Sequence, residues 1–237
     1  MTDPKYKCVL LKVSGEAFLS EEKYGLDFKT FRKVATQIRE VQKLGVEIGV
    51  MVGGGNIFRG KVAESSGIDR VCADYMGMLA TVINALALQE VLEKLGASSS
   101  VLTAIGMENV AEQYSSRKAI SHLKKGEILI FAGGTGNPYF TTDTAACLRA
   151  LEIGADVMMK GTKVDGVFSA DPKTVPQAKK FDSLSYLEVL DKKLEVMDTT
   201  AITLCMNNKL PIIVFNLQKE GNLKRIILGE TLGTIIK

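Results

Sequence analysis

The chain has 237 residues, of which 46% are hydrophobic and 24% are charged, and its mean hydropathy is +0.12. This composition excludes intrinsic disorder, and a chain of this length buries a full core without metal or disulfide crosslinks. Thirty Lys and Arg against 27 Asp and Glu leave a formal net charge of +3, which is too small for a dedicated nucleic-acid-binding protein. We therefore expect an ordinary soluble globular protein.

Cysteine and histidine are too few and too dispersed for the common metal and redox sites. The four cysteines are separated by 64, 75 and 58 residues: Cys8, Cys72, Cys147 and Cys205. This spacing excludes a Cys-x-x-Cys motif for zinc, an iron–sulfur cluster or thioredoxin-like redox chemistry, and it favours a reduced, cytosolic chain. The single histidine, His122, lies in a basic amphipathic stretch (116–125) that predicts a surface helix and not a metal ligand.

The apolar segments are too short to predict export or membrane insertion. The first ends at Lys12 and is shorter than the hydrophobic part of a signal peptide. The longest, residues 76–92, is interrupted by polar side chains and falls short of a membrane span. It predicts a helix that is buried on more than one face, in the core or at a subunit contact.

Short apolar runs alternate along the chain with segments of helical period. Runs rich in Val and Ile predict strands over residues 7–13, 46–52, 99–103, 128–132, 157–160 and 212–215. Helices are predicted over 27–44, where Gly45 ends the pattern, over 144–153, and from about Leu184 and Asp198. The Gly- and Pro-containing stretch 160–180 predicts an irregular loop or hairpin.

The order of these elements predicts the fold class. Strands that alternate with helices indicate an α/β fold with a mainly parallel sheet and helices on both faces. No repeat, linker or shift in composition divides the chain, so one domain over residues 1–237 is expected. Ligands of such folds gather beyond the carboxyl ends of the strands.

Two glycine-rich turns follow predicted strands at that edge. Three residues without Cβ, Gly53, Gly54 and Gly55, let backbone N–H groups approach an anion closely. The segment 133–143 combines flexible backbone, hydroxyls, two aromatic rings and one carboxylate, which suit the phosphate, sugar and base of a nucleoside monophosphate. Thr142 and Asp143 are predicted to cap the helix that follows, and a helix N-terminus favours an anion.

Two common nucleotide-binding motifs do not fit the first of these turns. Gly55 to Lys61 has the spacing of a Walker A loop, but Val62 stands where that loop needs Ser or Thr for Mg²⁺. Phe58 stands where a Rossmann fingerprint has its third glycine. The P-loop and Rossmann interpretations are therefore rejected.

Two lysines stand at the carboxyl ends of predicted strands, Lys12 before Ser14 and Gly15, and Lys160 before Gly161. One such lysine alone is more often a solvated strand end. Both together, beside glycine turns, favour phosphoryl transfer, because that reaction needs cations to neutralise the oxygens of the transferred group.

Five segments resemble the motifs of bacterial uridylate kinases, in that family's order and spacing. They are KVSGEA at 12–17, GGGNIFRG at 53–60, DYMGMLA at 74–80, GTGNPYFTTD at 134–143 and KGTKVDGVFSADP at 160–172. The resemblance extends over about residues 6–236. It implies the amino-acid kinase fold, a three-layer α/β/α arrangement that is unrelated to P-loop kinases, with subunit contacts and the UMP site mainly in the N-terminal part and the ATP site mainly in the C-terminal part.

The resemblance also implies transfer of the ATP γ-phosphoryl group to UMP, with Mg²⁺ held mainly by the ATP phosphates and by no protein ligand. The implied catalytic residues are Lys12, Arg59, Asp143 and Lys160, with Asp143 orienting the two lysines around the transferred group. The residues implied to contact ATP are Lys12, Val13, Ser14, Gly15, Gly55, Arg59, Thr162, Phe168 and Asp171. Those implied to contact UMP are Gly54, Asp74, Thr135, Gly136, Asn137, Pro138, Tyr139, Phe140, Thr141 and Thr142, with Asp74 accepting from the ribose hydroxyls.

Members of that family are usually cytoplasmic homohexamers of pyrimidine nucleotide synthesis, activated by GTP and inhibited by UTP. The same properties are implied here, and residues 20–25 occupy the position of the activation-linked loop. Glu90 and Glu93 form an acidic lining that suits a triphosphate effector poorly. GTP control is therefore the weakest of the implied properties.

Two other functions stay open. An acyl-phosphate kinase of the same fold would act on glutamate, N-acetylglutamate, aspartate or carbamate, and would have no use for Asp74 or the extended 134–142 segment. A non-catalytic regulatory or storage protein that binds nucleotides or oxyanions would not need Lys12, Lys160 and Asp143 together.

Overall fold

The computed structural model describes residues 3–19, 24–59, 67–172, 174–175 and 177–237, and all strands in these ranges join one sheet. The strands are β1 (Cys8–Val13), β2 (Glu47–Val52), β3 (Ser99–Thr103), β4 (Glu112–Gln113), β5 (Ile128–Ala132), β6 (Val157–Thr162), β7 (Ser183–Leu184), β8 (Ile212–Asn216) and β9 (Thr234–Ile236). Their order across the sheet is β4-β3-β5-β2-β1-β6-β8-β9-β7. Only the β8–β9 pair is antiparallel among them, which confirms the predicted mainly parallel sheet.

Helices cover both faces of this sheet. In the described ranges they are α1 (Phe28–Gln42), α2 (Arg70–Lys94), α3 (Ser116–Lys124), α4 (Thr142–Glu152), α5 (Tyr186–Asp191), α6 (Thr199–Asn207) and α7 (Asn222–Ile227), and a 3-10 helix (Gly15–Phe18) follows β1. Alternate β1 residues enter two separate apolar cores: Val9 packs on the side of α1, α2 and α7, and Leu10 packs on the side of α3 to α6. The predicted α/β class with helices on both faces is thus confirmed.

The predicted elements differ from the observed ones mainly at their ends. All six predicted strands are present, and β6 and β8 run slightly further than expected, to Thr162 and Asn216. The strands β4, β7 and β9 have two or three residues each, too few to show an alternating pattern. After β6, Phe168 forms an isolated antiparallel bridge with Lys180, as in a hairpin, which is one of the two forms expected for the 160–180 segment.

The predicted cap of α4 is wrong by one to two residues, and the helix begins at Thr142, two residues earlier than predicted. Thr141 is the N-cap, and its hydroxyl accepts from the backbone N–H groups of Asp143 and Thr144. Thr142 and Asp143 therefore lie inside the first turn of the helix. This shift matters because it places the Asp143 side chain on the face of α4 that packs on the sheet.

Helix α2 is longer than predicted, with 25 residues, and it is long and apolar enough by length and composition alone to cross a membrane. The prediction that this stretch falls short of a span is wrong on that criterion. One face of α2 packs in the core, as in the core helix of a soluble protein, and its polar Thr81 and Asn84 are hydrogen-bonded there. The opposite face exposes large apolar side chains: Tyr75, Met76, Leu79 and Ile83.

His122 lies on α3 as predicted, but it is less exposed than a surface residue. Its side chain is 17% exposed, with Nε2 3.0 Å from Glu112 Oε2 and Nδ1 2.8 Å from Glu127 Oε2. His122 is thus half-buried on the predicted surface helix, with both ring nitrogens paired to carboxylates. The two carboxylates hold the ring between β4 and the turn before β5.

Phe31 of α1 is fully buried and stacks on Phe18, with ring centroids 4.1 Å apart. Phe31→Ala is expected to lower the free energy of unfolding by about 3–5 kcal/mol, because it leaves a cavity beneath the segment that follows β1. Phe28→Ala, one turn earlier and more than half exposed, is the control and should cost less than about 1 kcal/mol. Equal losses in denaturant unfolding would contradict this assignment of the core.

Candidate active site

A carboxylate shared by two lysines lies at the carboxyl ends of β1 and β6. The parallel register pairs Lys12 of β1 directly with Lys160 of β6, so both side chains leave the same face of the sheet. Asp143, in the first turn of α4, lies between them. Its Oδ1 is 2.7 Å from Lys12 Nζ and its Oδ2 is 2.6 Å from Lys160 Nζ. These three residues form the lysine–aspartate cluster.

The cluster is buried and keeps an excess of positive charge. Burial alone would raise the pKa of the Asp143 carboxyl, but the adjacent charges of Lys12 and Lys160 outweigh it and hold that pKa below its usual range. Burial lowers the pKa of the Lys160 ammonium, and the charge of Lys12 adds to this effect against the attraction of Asp143. Two cations thus face one anion in a site of low solvent access, where a phosphoryl group is well stabilised.

The segment between α5 and α6 accepts hydrogen bonds from the lysine–aspartate cluster and from the start of α4. The backbone carbonyl of Val196 accepts a hydrogen bond from Lys160 Nζ. Asp198 accepts from the hydroxyls of Thr141 and Thr144, the latter at 2.7 Å, and it also caps α6 through the Ala201 N–H at 2.9 Å. Sequence reasoning missed these contacts. An Asp before a helix predicts a cap, but its second role depends on which helix packs beside it.

The first glycine turn (residues 53–55) follows β2 and packs tightly against the turn after β1. The Gly53 N–H donates to the Val13 carbonyl at 2.8 Å, and a Cβ on Gly53 would lie 2.8 Å from the Gly15 nitrogen. A Cβ on Gly15 would collide with the nitrogen of Gly55. Glycine is therefore required sterically where the two turns meet. Within the described part of the chain, the N–H groups of Gly54 and Gly55 donate to no protein acceptor, so they are available to an anion.

A cavity of about 160 Å³ lies between the first glycine turn, α2 and the second glycine turn (residues 133–136). It is lined by Gly54, Gly55, Phe58, Ala73, Asp74, Gly77, Met78, Thr81, Gly134, Phe140, Thr141 and Thr142. Five residues implied to bind UMP are among them: Gly54, Asp74, Phe140, Thr141 and Thr142. Four others, Thr135, Gly136, Asn137 and Pro138, form a tight turn outside this lining.

Asp74 is held in place before any ligand arrives. Arg70 Nε lies 3.0 Å from both carboxylate oxygens, and the Tyr139 N–H donates to Oδ2 at 2.7 Å. Tyr139 has a φ of 71°, which is unusual for a residue with a side chain, and Arg70 lies over its ring at 5.6 Å. Arg70 was not predicted, although an Arg four residues before an Asp on a helix indicates such a pair.

A larger cavity of about 560 Å³ opens on the other side of Lys160. Of the residues implied to bind ATP, Thr162, Phe168 and Asp171 line it, and the turn after α5 (192–196) forms its opposite wall. Val13, Ser14 and Gly15 lie instead at the end of β1, outside this lining. Sequence reasoning did not find the 192–196 wall, because it has no motif.

Arg59 is not part of the lysine–aspartate cluster in this structure. Its side chain is exposed, with Nη2 3.0 Å from Glu16 Oε1 and Nε donating to the Gly55 carbonyl at 3.2 Å. It thus bridges the 3-10 helix and the first glycine turn, near the other predicted phosphate contacts. The partner Glu16 was not predicted as a site residue.

The lysine–aspartate cluster lies between the two cavities. Lys160 lines the larger one, and Thr142, the neighbour of Asp143 in the chain, lines the smaller one. The arrangement can hold two anionic ligands whose phosphates meet at Lys12 and Lys160, which is the geometry that transfer between two phosphates requires.

Comparison with known proteins agrees with this geometry. The model of the amino acid kinase family matches residues 7–216, and the chain belongs to that family. The crystal structure of UMP kinase from Bacillus anthracis is 41% identical, with a TM-score of 0.95 over 98% of this chain and 96% of the other. That of UMP kinase from Ureaplasma parvum is 34% identical, with a TM-score of 0.92 over 98% and 99%. The uridylate kinase from Archaeoglobus fulgidus is 30% identical, with a TM-score of 0.72 over 97% and 99%.

The lowered pKa of Lys160 predicts the alkaline limit of activity in the ligand-free enzyme. Because its pKa lies below the ordinary 10.5, Lys160 loses its proton, and the empty site loses a positive charge, at a lower pH than a solvated lysine would. We expect kcat/KM for ATP to begin to fall below that pH, because kcat/KM reports the ionisation of the free enzyme, whereas bound phosphates oppose this loss of a proton in kcat. Lys160→Arg keeps its charge at high pH and should move the fall in kcat/KM to higher pH, even though its kcat/KM at neutral pH is lower. The measurement is kcat/KM for ATP from neutral pH to about 11, and an unchanged fall in the variant would show that another group controls it.

Proposed function

We infer that this chain is a UMP kinase, an ATP:UMP phosphotransferase that forms UDP and ADP. The observation that carries this inference is the position of the lysine–aspartate cluster between two cavities, of which the smaller contains a carboxylate suited to ribose hydroxyls. The similarity to UMP kinases over nearly the whole chain supports the same function.

The reaction needs no protein nucleophile and no general base. An oxygen of the UMP phosphate attacks the γ-phosphorus of ATP, the new P–O bond forms as the bond to the β-phosphate oxygen breaks, and the electron pair leaves with ADP. Lys12 and Lys160 neutralise the oxygens of the transferred group, and Asp143 keeps both ammonium groups at fixed positions. The N–H groups of Gly54 and Gly55 orient phosphate oxygens. This chemistry suits a chain whose one histidine lies elsewhere, on α3.

Mg²⁺ enters this scheme as part of the Mg·ATP substrate. In the described residues, no group of three or more His, Cys, Asp and Glu side chains could hold a metal ion, and Asp143 is already paired with two lysines. We propose that Mg²⁺ is bound mainly by phosphate oxygens and is carried with the nucleotide. When bound, Mg²⁺ supplies additional positive charge to the phosphates.

The two nucleotides are proposed to divide between the two cavities. ATP places its adenosine against Thr162, Phe168 and Asp171, and its phosphates reach the end of β1 and Arg59. UMP occupies the smaller cavity, with its ribose at Asp74 and its phosphate at Gly54. Asp74 can serve the ribose because Arg70 and Tyr139 hold its carboxylate in one orientation.

The proposal also includes an oligomeric state and regulation by nucleotides. The exposed apolar face of α2, with Leu79 and Ile83, is proposed to be a subunit contact in a cytoplasmic homohexamer. GTP activation and UTP inhibition would make the chain an allosteric enzyme of pyrimidine nucleotide synthesis. Residues 20–23 of the activation-linked loop lie outside the described residues, and Glu90 on α2 is paired with Lys94 at 2.8 Å.

The direct test is a phosphoryl-transfer assay with Mg·ATP and a panel of UMP, CMP, AMP, GMP, glutamate and N-acetylglutamate, with products separated by chromatography. We expect UDP from UMP as the dominant product, because Asp74 and Phe140 shape the smaller cavity for a nucleoside. ADP release with an amino acid as acceptor would contradict the UMP kinase assignment and would identify the chain as an acyl-phosphate kinase. Nucleotide binding without turnover would favour a regulatory or storage protein, and initial rates with added GTP test activation in the same assay.

Removal of one lysine of the cluster tests the chemistry. Lys12→Ala is expected to lower kcat about a hundredfold or more, because a charge that stabilises the transition state is lost. Lys29→Ala, on the exposed side of α1, is the control and should retain the activity of the unmodified protein. Near-normal kcat in Lys12→Ala would remove Lys12 from the catalytic residues.

A further inference from the structure

Two buried asparagines form a reciprocal amide pair beneath the first glycine turn. Asn56 Nδ2 donates to Asn84 Oδ1 at 2.9 Å, and Asn84 Nδ2 donates to Asn56 Oδ1 at 2.6 Å. Their relative exposures are 1% and 0%. Neither side chain lines either cavity, and although Asn56 belongs to the segment GGGNIFRG at 53–60, neither residue is among those that the resemblance implies in the site.

The second N–H of each amide is also used. Asn84 Nδ2 donates to the Gly53 carbonyl at 2.7 Å, and Asn56 Nδ2 donates to the Gly25 carbonyl at 2.9 Å. All four amide hydrogens and both amide oxygens are therefore satisfied. A flip of either amide would bring two N–H groups face to face, so the pair has one favourable arrangement.

The bond from Asn84 fixes the direction of a neighbouring N–H group. The Gly53 carbonyl and the Gly54 N–H belong to the same planar trans peptide unit and point in opposite directions. Because Asn84 holds the Gly53 carbonyl toward the core, the Gly54 N–H points away from the core, and Gly54 lines the smaller cavity. This N–H is one of the two in the turn that donate to no described residue.

We propose that Asn84 is a positioning residue for the acceptor phosphate, acting through the Gly53 carbonyl and the Gly54 N–H, with Asn56 as the partner that orients its amide. This inference rests on the proposed function, since it assigns UMP to the smaller cavity. The pair also ties the turn to α2 and to Gly25, so the turn has little freedom to rotate its peptide planes.

The test is the isosteric variant Asn84→Asp, which keeps the size of the side chain and an acceptor for Asn56 but removes both donors. We expect kcat/KM for UMP, at saturating ATP, to fall by roughly tenfold to a hundredfold, while KM for ATP changes less than about twofold. The ratio of variant to unmodified kcat/KM should rise as pH falls, because a protonated carboxyl at position 84 can again donate to the Gly53 carbonyl. General damage to the fold would lower kcat/KM for ATP as much as kcat/KM for UMP, whereas loss of the Gly54 N–H orientation lowers the value for UMP selectively.

Two further variants distinguish positioning from general damage to α2. Gln89 lies on the same helix as Asn84 but away from the glycine turn, and its amide donates to the Ser99 carbonyl. Gln89→Glu makes the same amide-to-acid change there, and kcat/KM for UMP should stay within about twofold of the unmodified value. In Asn56→Asp, Asn84 still donates to the Gly53 carbonyl. The fall in kcat/KM for UMP should therefore be smaller in Asn56→Asp than in Asn84→Asp. If Asn84→Asp does not fold, Asn56→Asp and Gln89→Glu still test the proposal: a fall in kcat/KM for UMP in Asn56→Asp alone supports it, and equal values in the two variants contradict it.

The experiments distinguish a failure of the UMP kinase assignment from a failure of the positioning role of Asn84. Absence of UMP phosphorylation by the unmodified chain would overturn the UMP kinase assignment and, with it, the acceptor. If the unmodified chain is active, an Asn84→Asp variant with unchanged kcat/KM for UMP, or equal losses in all three variants, would overturn the positioning role alone. A selective, pH-dependent loss in Asn84→Asp supports it.

Discussion

The site depends on one carboxylate that two lysines share. Two buried ammonium groups at paired positions of adjacent strands would repel each other strongly in a medium of low dielectric constant. Asp143 removes most of that repulsion, yet one positive charge remains, and this residual charge can attract an anion. The cluster is therefore stable without a ligand and still attractive to an anion, a balance that neither a neutral pair nor two free lysines would provide.

The order of the strands places the lysine–aspartate cluster between the first glycine turn and the larger cavity. β1 lies between β2 and β6, so the first glycine turn, which follows β2, is on one side of Lys12 and the large cavity beyond β6 is on the other. In a parallel sheet all of these strand ends lie at one edge. Donor and acceptor phosphates can thus approach from opposite sides of a single lysine, and no large movement of the backbone is required to bring Lys12 and Lys160 together.

The long apolar strands and their terminal lysines could be predicted from sequence because burial on both faces leaves a strong local pattern. That pattern placed Lys12 and Lys160 near one edge, and the motif containing Asp143 supplied the third member. The contacts of Asp198, the pairing of Arg59 with Glu16 and the 192–196 wall could not be predicted in the same way, because they depend on how separate segments pack. The cap of α4 was misplaced because three consecutive polar residues can each serve as a cap, and only packing decides among them.

Helix α2 builds one side of the smaller cavity, and its inward polar residues explain why its sequence lacks a clear amphipathic pattern. Asp74 lies in its second turn, the Thr81 hydroxyl accepts from the Gly133 N–H at 2.8 Å, and Asn84 donates to the Gly53 carbonyl. Both glycine turns are thus attached to one helix, by polar side chains that must point inward. Those buried polar residues, together with Leu79 and Ile83 on the outer face, weaken the amphipathic pattern of α2. Because Thr81 and Asn84 each have a backbone partner in one of the two glycine turns, a displacement of α2 along the cavity would either break these hydrogen bonds or move both turns with the helix.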